Sequence, residues 1–390
     1  MKTQEAIRVR MLDLKREYEY MKDEIDSALA RCMRHQTWIL GPEVRELEEK
    51  MSVYLGSDNC VGLSSGTEAL VVGLRALAIS HMDSQYFGKA DEIITTPFTF
   101  TATGDAILRA GATPVLIDID PRTYNIDAEK IRQYLKTASN RVVGIAPVHL
   151  YGCPCDMDAI MDIAREAGLF VLEDVAQALG GQWKGRKLGT IGTAGAFSFF
   201  PSKNLGGFGD GGMLCTDDHR IADVSRMLIK HGGRDKYNVE HIGYNARLDT
   251  IQAAILLSKL PMLDEFNANR IKAAASYTEK LSGMDGLVLP AVPDNPENAT
   301  HVFHQYTIRV PEGRRDELQK HLADRGITTM VYYPVPLHKM KVFHGRYKTL
   351  GLLDESEKAA KEVLSLPMDP LMTPEEIDYV AESVREFFRA

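Results

Sequence analysis

Between about residues 60 and 215 short apolar runs recur, at 60–63, 92–96, 114–119, 142–148, 169–173, 196–200 and 212–215. Most are separated by segments of helical character, among them TEALVVGLRALAI, TATGDAILRAG, NIDAEKIRQYLKT and MDAIMDIAREAG. A strand that is apolar along its whole length must be buried on both faces. The alternation therefore predicts an α/β protein whose large, mostly parallel seven-stranded sheet is flanked by helices. Ligands of such sheets sit beyond the carboxyl ends of the strands, and most candidate functional residues of this chain fall there.

The flanking sequence has a different texture. Residues 1–20 are assigned to an N-terminal arm, extended over 1–13, 21–255 to the large domain and 256–390 to a small α+β domain. Charged helical segments fill 14–55, and Gly56 sits where a helix-terminating glycine is expected. After 250 a long helical stretch carries Pro261, a kink site, and leads through a Pro/Asn-rich link at 289–301. The remainder reads as strand (HVFHQYTIRV), helix (RRDELQKHLADRG), strand (TTMVYYPV), a loop, and a C-terminal helix from about 373.

A length of 390 residues with 44% hydrophobic and 26% charged residues is that of an ordinary globular protein. The formal charge of −8 gives no general attraction to nucleic acid or an anionic membrane. Five scattered cysteines make no disulfide framework, and Cys153 and Cys155 in GCPCD lack the second pair a zinc site needs. No stretch has signal-peptide or membrane-spanning character, so the cytoplasm is the default expectation.

The sixth apolar run breaks at Pro201 into a short turn bearing Lys203, and five glycines follow within residues 206–212. A packed strand that ends in a turn can hold a reactive amine in place, and the glycines allow close backbone approach. The first run ends in LSSGTEAL, where hydroxyls and free amides at a helix N-terminus offer a phosphate seat or a simple N-cap. The second leads into TTPFTFTAT, in which Phe98 and Phe100 can stack on a flat ring or pack in the core. The fifth ends at Asp174, whose buried carboxylate requires a cationic partner: a protonated heteroaromatic nitrogen, or a neighbouring Arg or Lys. Gln177 lies one turn on. No GxGxxG or P-loop pattern occurs. Phosphate seat, ring stacker, buried carboxylate and strand-end lysine together are the parts a pyridoxal phosphate site needs.

SSGTEAL, TPFTFTAT, EDVAQALGG, FSFFPSKNLGGFGDGG and IGYNARLDTIQAA stand in the order and spacing of the DegT/StrS-type sugar aminotransferases. From about residue 10 to its C-terminus the chain resembles that family, including VHLYGCPCDMDAI and YYPVPLH. The resemblance implies a fold-type-I enzyme that binds pyridoxal 5'-phosphate and aminates nucleotide-linked keto sugars, with L-glutamate as the expected donor. By position, Lys203 matches the lysine that forms the Schiff base and shuttles the proton, and Asp174 the partner of the pyridine nitrogen. Gln177 matches the residue near the ring hydroxyl, and Gly66, Thr67 and Ser198 the phosphate ligands. Phe100 matches the stacked aromatic. Asn245 matches an asparagine that reaches the neighbouring subunit's cofactor, which implies a homodimer with shared sites. Arg247 is a candidate for an acidic substrate group, or for a salt bridge with Asp249 or another carboxylate.

Two departures stand out: GCPCD replaces the more usual Gly-Gln-Pro-Ala-Asp, and SHMDSQYFGKADE is longer than the turn common there. The string after Lys203 resembles the branch acting on 3-keto sugars, so a UDP- or dTDP-linked 3-keto hexose is the favoured substrate. The alternatives are a 4-keto sugar or aminocyclitol aminotransferase and a non-catalytic cofactor-binding regulator. A 3-dehydratase of the same family would carry histidine in place of Lys203.

Overall fold

The computed structural model describes residues 9–138, 141–291 and 298–389. Its strands run in chain order as β1 (Asn59–Leu63), β2 (Asp91–Thr95), β3 (Thr113–Leu116), β4 (Arg141–Ile145) and β5 (Phe170–Asp174). There follow β6 (Gln182–Trp183), β7 (Arg186–Lys187), β8 (Ala194–Ser198) and β9 (Gly212–Thr216). The C-terminal third adds β10 (Ala299–Thr300), β11 (Tyr306–Arg309), β12 (Lys348–Thr349) and β13 (Val363–Leu366).

The large sheet has the order β1-β9-β8-β5-β4-β2-β3-β12. Only β9 runs against the rest, pairing antiparallel with both β1 and β8. The seven strands expected from the apolar runs are all present. The eighth, β12, is a two-residue edge strand supplied by the C-terminal third, and it pairs parallel to β3. Alternate residues enter opposite cores: Phe170 and Leu172 pack in one cluster and Val171 in the other. That is the period-two signature of a sheet covered on both faces.

The helix Gly66–Met82 is apolar almost all round and buried from Ala69 to Ser80, as expected of a helix enclosed by other elements. It begins where Ser65 Oγ accepts the N–H of Glu68 at 3.1 Å. Gly56 closes the helix Pro42–Leu55 at φ +70°. A 3-10 turn at Leu260–Met262, containing Pro261, separates the helices Thr250–Lys259 and Leu263–Leu281. Residues 1–8 of the expected arm and 292–297 of the expected link lie outside the described residues. Leu14–Tyr20 is helical, capped by the Asp13 carboxylate.

The small C-terminal core gathers Tyr277, Tyr306, Ile308, Leu318, Leu364 and Val380 around the β11–β13 pair. Here one expectation is corrected. Residues 328–335 (TTMVYYPV) are irregular, with a single bridge from Met330 to Ser365. The partner of β11 is instead β13, which follows directly on the unforeseen helix Asp354–Glu362. That helix docks beside the end of β3 through its N-terminus: buried Asp118 accepts the N–H groups of Glu355 at 3.0 Å and Ser356 at 2.9 Å. Among the described residues no helix is long and apolar enough to cross a membrane.

Candidate active site

The carboxyl ends of β1, β2, β5 and β8 converge on a cavity of about 440 Å³. Gly66, Thr67, Phe100, Asp174, Gln177, Ser198 and Lys203 all line it. Register explains the convergence: Asp174 pairs with Ala196 on β8, and Ser198 pairs with Gly212 on β9, so adjacent strands end side by side.

Asp174 is 4% exposed and forms no ion pair among the described residues. Its Oδ2 accepts the hydroxyl of Thr103 at 2.8 Å and its Oδ1 the N–H of Ala176 at 3.1 Å. Burial raises its pKa; those two bonds and the charge of Lys203 pull the other way without overcoming it. Lys203 sits half-buried in the turn after β8, its N–H bonded to Phe200 O. Burial lowers its amine to about 8, against the pull of Asp174. Among the described residues neither an arginine nor a lysine forms an ion pair with this carboxylate, which leaves it open to a cationic partner from the cavity.

Gln177 is pinned on both sides. Its Oε1 accepts the N–H of Tyr151 at 2.7 Å, and its Nε2 donates to Tyr333 Oη at 2.9 Å. Gly66 packs so closely on β8 that a Cβ there would lie 2.6 Å from Ser198 Cβ. The first N–H groups of a helix have no partner within it. Those of Gly66 and Thr67 meet no acceptor among the described residues. With Ser65, Ser198 and Ser202 beside them, they form a cradle for an anion at the positive end of the helix. Phe100 is 56% exposed, its ring 6.1 Å from that of Tyr333, whereas Phe98 is fully buried against Tyr124. Of the two aromatics, Phe100 is the one free to cover a ligand. An anion seat and a carboxylate lacking a cation, on either side of a lysine, fit a phosphate-bearing aromatic cation such as pyridoxal phosphate.

Two predicted residues stand apart. Asn245 is exposed and does not line this cavity, and neither does Arg247. They bond each other, Arg247 Nε donating to Asn245 Oδ1 at 2.9 Å. No Arg247–Asp249 ion pair forms among the described residues.

The cavity also has walls that sequence reasoning missed. Thr103 lies one helical turn after Thr99, a spacing that could have flagged it. His304, Gln305, Tyr332 and Tyr333 come from the C-terminal third. His304 is held neutral: burial pushes its pKa well below 6.5, and the charges of Lys203 and Arg270 add to the effect. Behind the site, fully buried Glu173 bonds His149 Nε2 at 3.1 Å and accepts the N–H groups of Gly189, Ile191 and Gly192.

The family model of the DegT/DnrJ/EryC1/StrS aminotransferases matches residues 19–385. A Geobacillus stearothermophilus protein named pleiotropic regulatory protein is 46% identical over 381 residues, covering 98% of this chain and 99% of its own. The dTDP-3-amino-3,4,6-trideoxy-α-D-glucose transaminase of Streptomyces venezuelae is 39% identical, covering 98% and 97%. The UDP-N-acetyl-3-dehydro-α-D-glucosamine 3-aminotransferase of Acidithiobacillus ferrooxidans is 40% identical, covering 96% of each chain. Among solved structures, S. venezuelae DesV in complex with a ketimine intermediate superposes with a TM-score of 0.91 at 39% identity, covering 98% of this chain and 99% of that one. The architecture is that of the fold-type-I aminotransferases. The chain belongs to the DegT/DnrJ/EryC1/StrS aminotransferase family.

Proposed function

We propose that this aminotransferase moves the amino group of L-glutamate to C3 of a keto hexose carried on UDP or dTDP, with pyridoxal 5'-phosphate as cofactor. The observation that carries the reading is the meeting of Lys203, Asp174 and the Gly66–Thr67–Ser198 cradle in one cavity. Relatives whose names specify 3-amination of a dTDP- and a UDP-sugar support the choice of nucleotide and carbon.

The cofactor supplies an aldehyde that carries the amino group between donor and acceptor, and a ring that takes up charge from the deprotonated substrate carbon. The chain's residues do the rest. The cradle holds the phosphate. Asp174 would hold a proton on the pyridine nitrogen, and that positive charge would in turn keep the carboxylate ionised. Gln177 would lie beside the ring hydroxyl and Phe100 would cover one face. Lys203 would hold the aldehyde when no substrate is present. Once free of it, the Lys203 amine would take the proton from the donor's α-carbon and return it two bonds away, to the carbon that had been the aldehyde's; an amine that burial lowers to about 8 suits both directions. In the second half the same amine works in reverse on the keto sugar.

Asn245 and Arg247 do not line their own cavity, in keeping with service to the site of a second copy in a homodimer. The name of the Geobacillus relative raises a regulatory reading, yet Lys203, Asp174 and the Gly66–Thr67–Ser198 cradle, on which the transfer reading rests, all line one cavity.

The test is a panel of UDP- and dTDP-linked 3-keto and 4-keto hexoses, each supplied with L-glutamate. A 3-amino sugar and an equal amount of 2-oxoglutarate from the 3-keto members supports the proposal. Product from the 4-keto members alone overturns the position, and no product from any member overturns the substrate class.

A further inference from the structure

Arg75 lies in the middle of the apolar helix Gly66–Met82 and is fully buried. A guanidinium in such a place is costly unless its donors are satisfied, and an aliphatic residue would fill a helix of this kind equally well. Among the described residues none of its hydrogen-bond partners is a carboxylate. Nε donates to Gln85 O at 2.5 Å, Nη1 to Tyr244 Oη at 2.8 Å and Nη2 to Ile242 O at 3.0 Å. The guanidinium sits 3.6 Å from the ring centroid of Tyr86 and 5.6 Å from that of Tyr244. Gln85 continues the link, its Nε2 lying 2.8 Å from His241 Nδ1.

These contacts join two segments remote in sequence. One is the turn after the helix, within the longer SHMDSQYFGKADE segment. The other is the loop 231–245, which ends at Asn245. Backbone bonds secure the base of that loop: Tyr244 N–H to Leu228 O at 2.7 Å and His231 N–H to Tyr244 O at 2.9 Å. Its outer part is exposed, with Tyr237 84%, Val239 56% and Ile242 64% accessible. Arg75 grips the loop from inside at Ile242 and Tyr244, the residue next to Asn245.

We propose that Arg75 is a positioning residue, which uses Gln85 and Tyr86 as a brace to fix the loop that delivers Asn245 and Arg247 to the neighbouring protomer's site. This rests on the reading above that Asn245 serves a second copy. It gives the longer turn a role: Gln85 and Tyr86 complete the clamp from the side opposite the loop. The planar fork is needed to reach both segments at once, so lysine cannot replace it. Misplacing a site group by about 1 Å can cost up to about 100-fold in rate, so loss of the clamp is expected to lower activity at least about tenfold.

The test is complementation between subunits, using differently tagged chains co-expressed and purified as hybrids. An Arg75→Met homodimer should be impaired and a Lys203→Ala homodimer inactive. Their hybrid contains one site with both Lys203 and a clamped loop, because the Lys203→Ala protomer supplies that loop. It should therefore recover about half of wild-type activity, one working site in two. The Asn245→Ala/Lys203→Ala hybrid is the control for the shared site itself. Rescue of both hybrids supports the proposal. Rescue of the Asn245 hybrid alone places the action of Arg75 within its own protomer and overturns the proposal while leaving the shared site standing. Rescue of neither removes the shared-site reading and the proposal with it, and full activity of the Arg75→Met homodimer also overturns it. Should Arg75→Met fail to fold, Gln85→Ala/Tyr86→Ala removes the outer half of the clamp and is put through the same hybrids.

Discussion

Thr103 donates its hydroxyl to Asp174 Oδ2 at 2.8 Å, so a neutral group holds the buried carboxylate of the cavity. This bond lowers a pKa that burial raises. Thr103→Val should therefore raise it further. In the proposed reaction Asp174 acts in its ionised form, so the acid limb of the kcat/KM–pH profile should move to higher pH. Activity on that limb then falls about tenfold for every pH unit by which the limb moves. Thr103→Ser should leave the limb in place. An unmoved limb in Thr103→Val would show that the hydroxyl does not tune the carboxylate.

Lys203 should titrate near 8 in the cofactor-free protein. Roughly one amine in ten is then neutral at pH 7, and the neutral amine is the form that attacks an aldehyde. The rate of pyridoxal phosphate uptake should rise with pH and level off above about 8. Uptake that keeps rising to pH 10 would mean that burial does not depress this amine.

Gly66→Ala places a methyl group 2.6 Å from Ser198 Cβ. The helix start and the end of β8 must part, which costs about 1–3 kcal/mol of stability and spoils the anion cradle. Cofactor titration should show affinity reduced about tenfold or more, while pyridoxal lacking the phosphate should bind both proteins alike. Equal phosphate dependence in the two proteins would count against the cradle.

Glu173 is a structural counterpart to its neighbour Asp174. Burial pushes its pKa up, but the bond and charge of His149 and the N–H groups of Gly192 and Gly189 outweigh it, and the net shift is downward. A carboxyl with a depressed folded pKa contributes stability above its unfolded value of about 4.5, and that contribution is lost as pH falls through the folded value. Glu173→Gln should be destabilised by about 3–5 kcal/mol at pH 7, with less difference from wild type at pH 4. Denaturant unfolding at the two pH values measures this.

The legible parts of this protein were those written in contiguous sequence. Apolar runs marked the strands of the large sheet, and their ends marked Gly66, Asp174, Ser198 and Lys203. Thr103 escaped notice because its meaning depends on which side of a helix faces β5. His304, Gln305 and Tyr333 reach the cavity only through packing of the C-terminal third. Residues 328–335 have the aromatic and β-branched composition of a strand, but strand propensity yields to context. There Tyr332 O accepts the hydroxyl of Tyr151 and Tyr333 bonds Gln177, so the segment serves the cavity rather than a ladder. The strand β13 went unseen because its short apolar run follows a charged helix without a break. A role for Asn245 in a second copy cannot be read from spacing within one chain.

The most direct measurement is the visible absorption of the purified protein and of Lys203→Ala, before and after L-glutamate. The wild-type protein should carry a visible band after incubation with pyridoxal phosphate, lose it when glutamate is added, and regain it with 2-oxoglutarate. Lys203→Ala should not cycle the band between donor and acceptor. A wild-type protein that takes up no chromophore, or a Lys203→Ala protein that cycles as wild type does, would contradict the assignment of the reaction to Lys203 and this cavity.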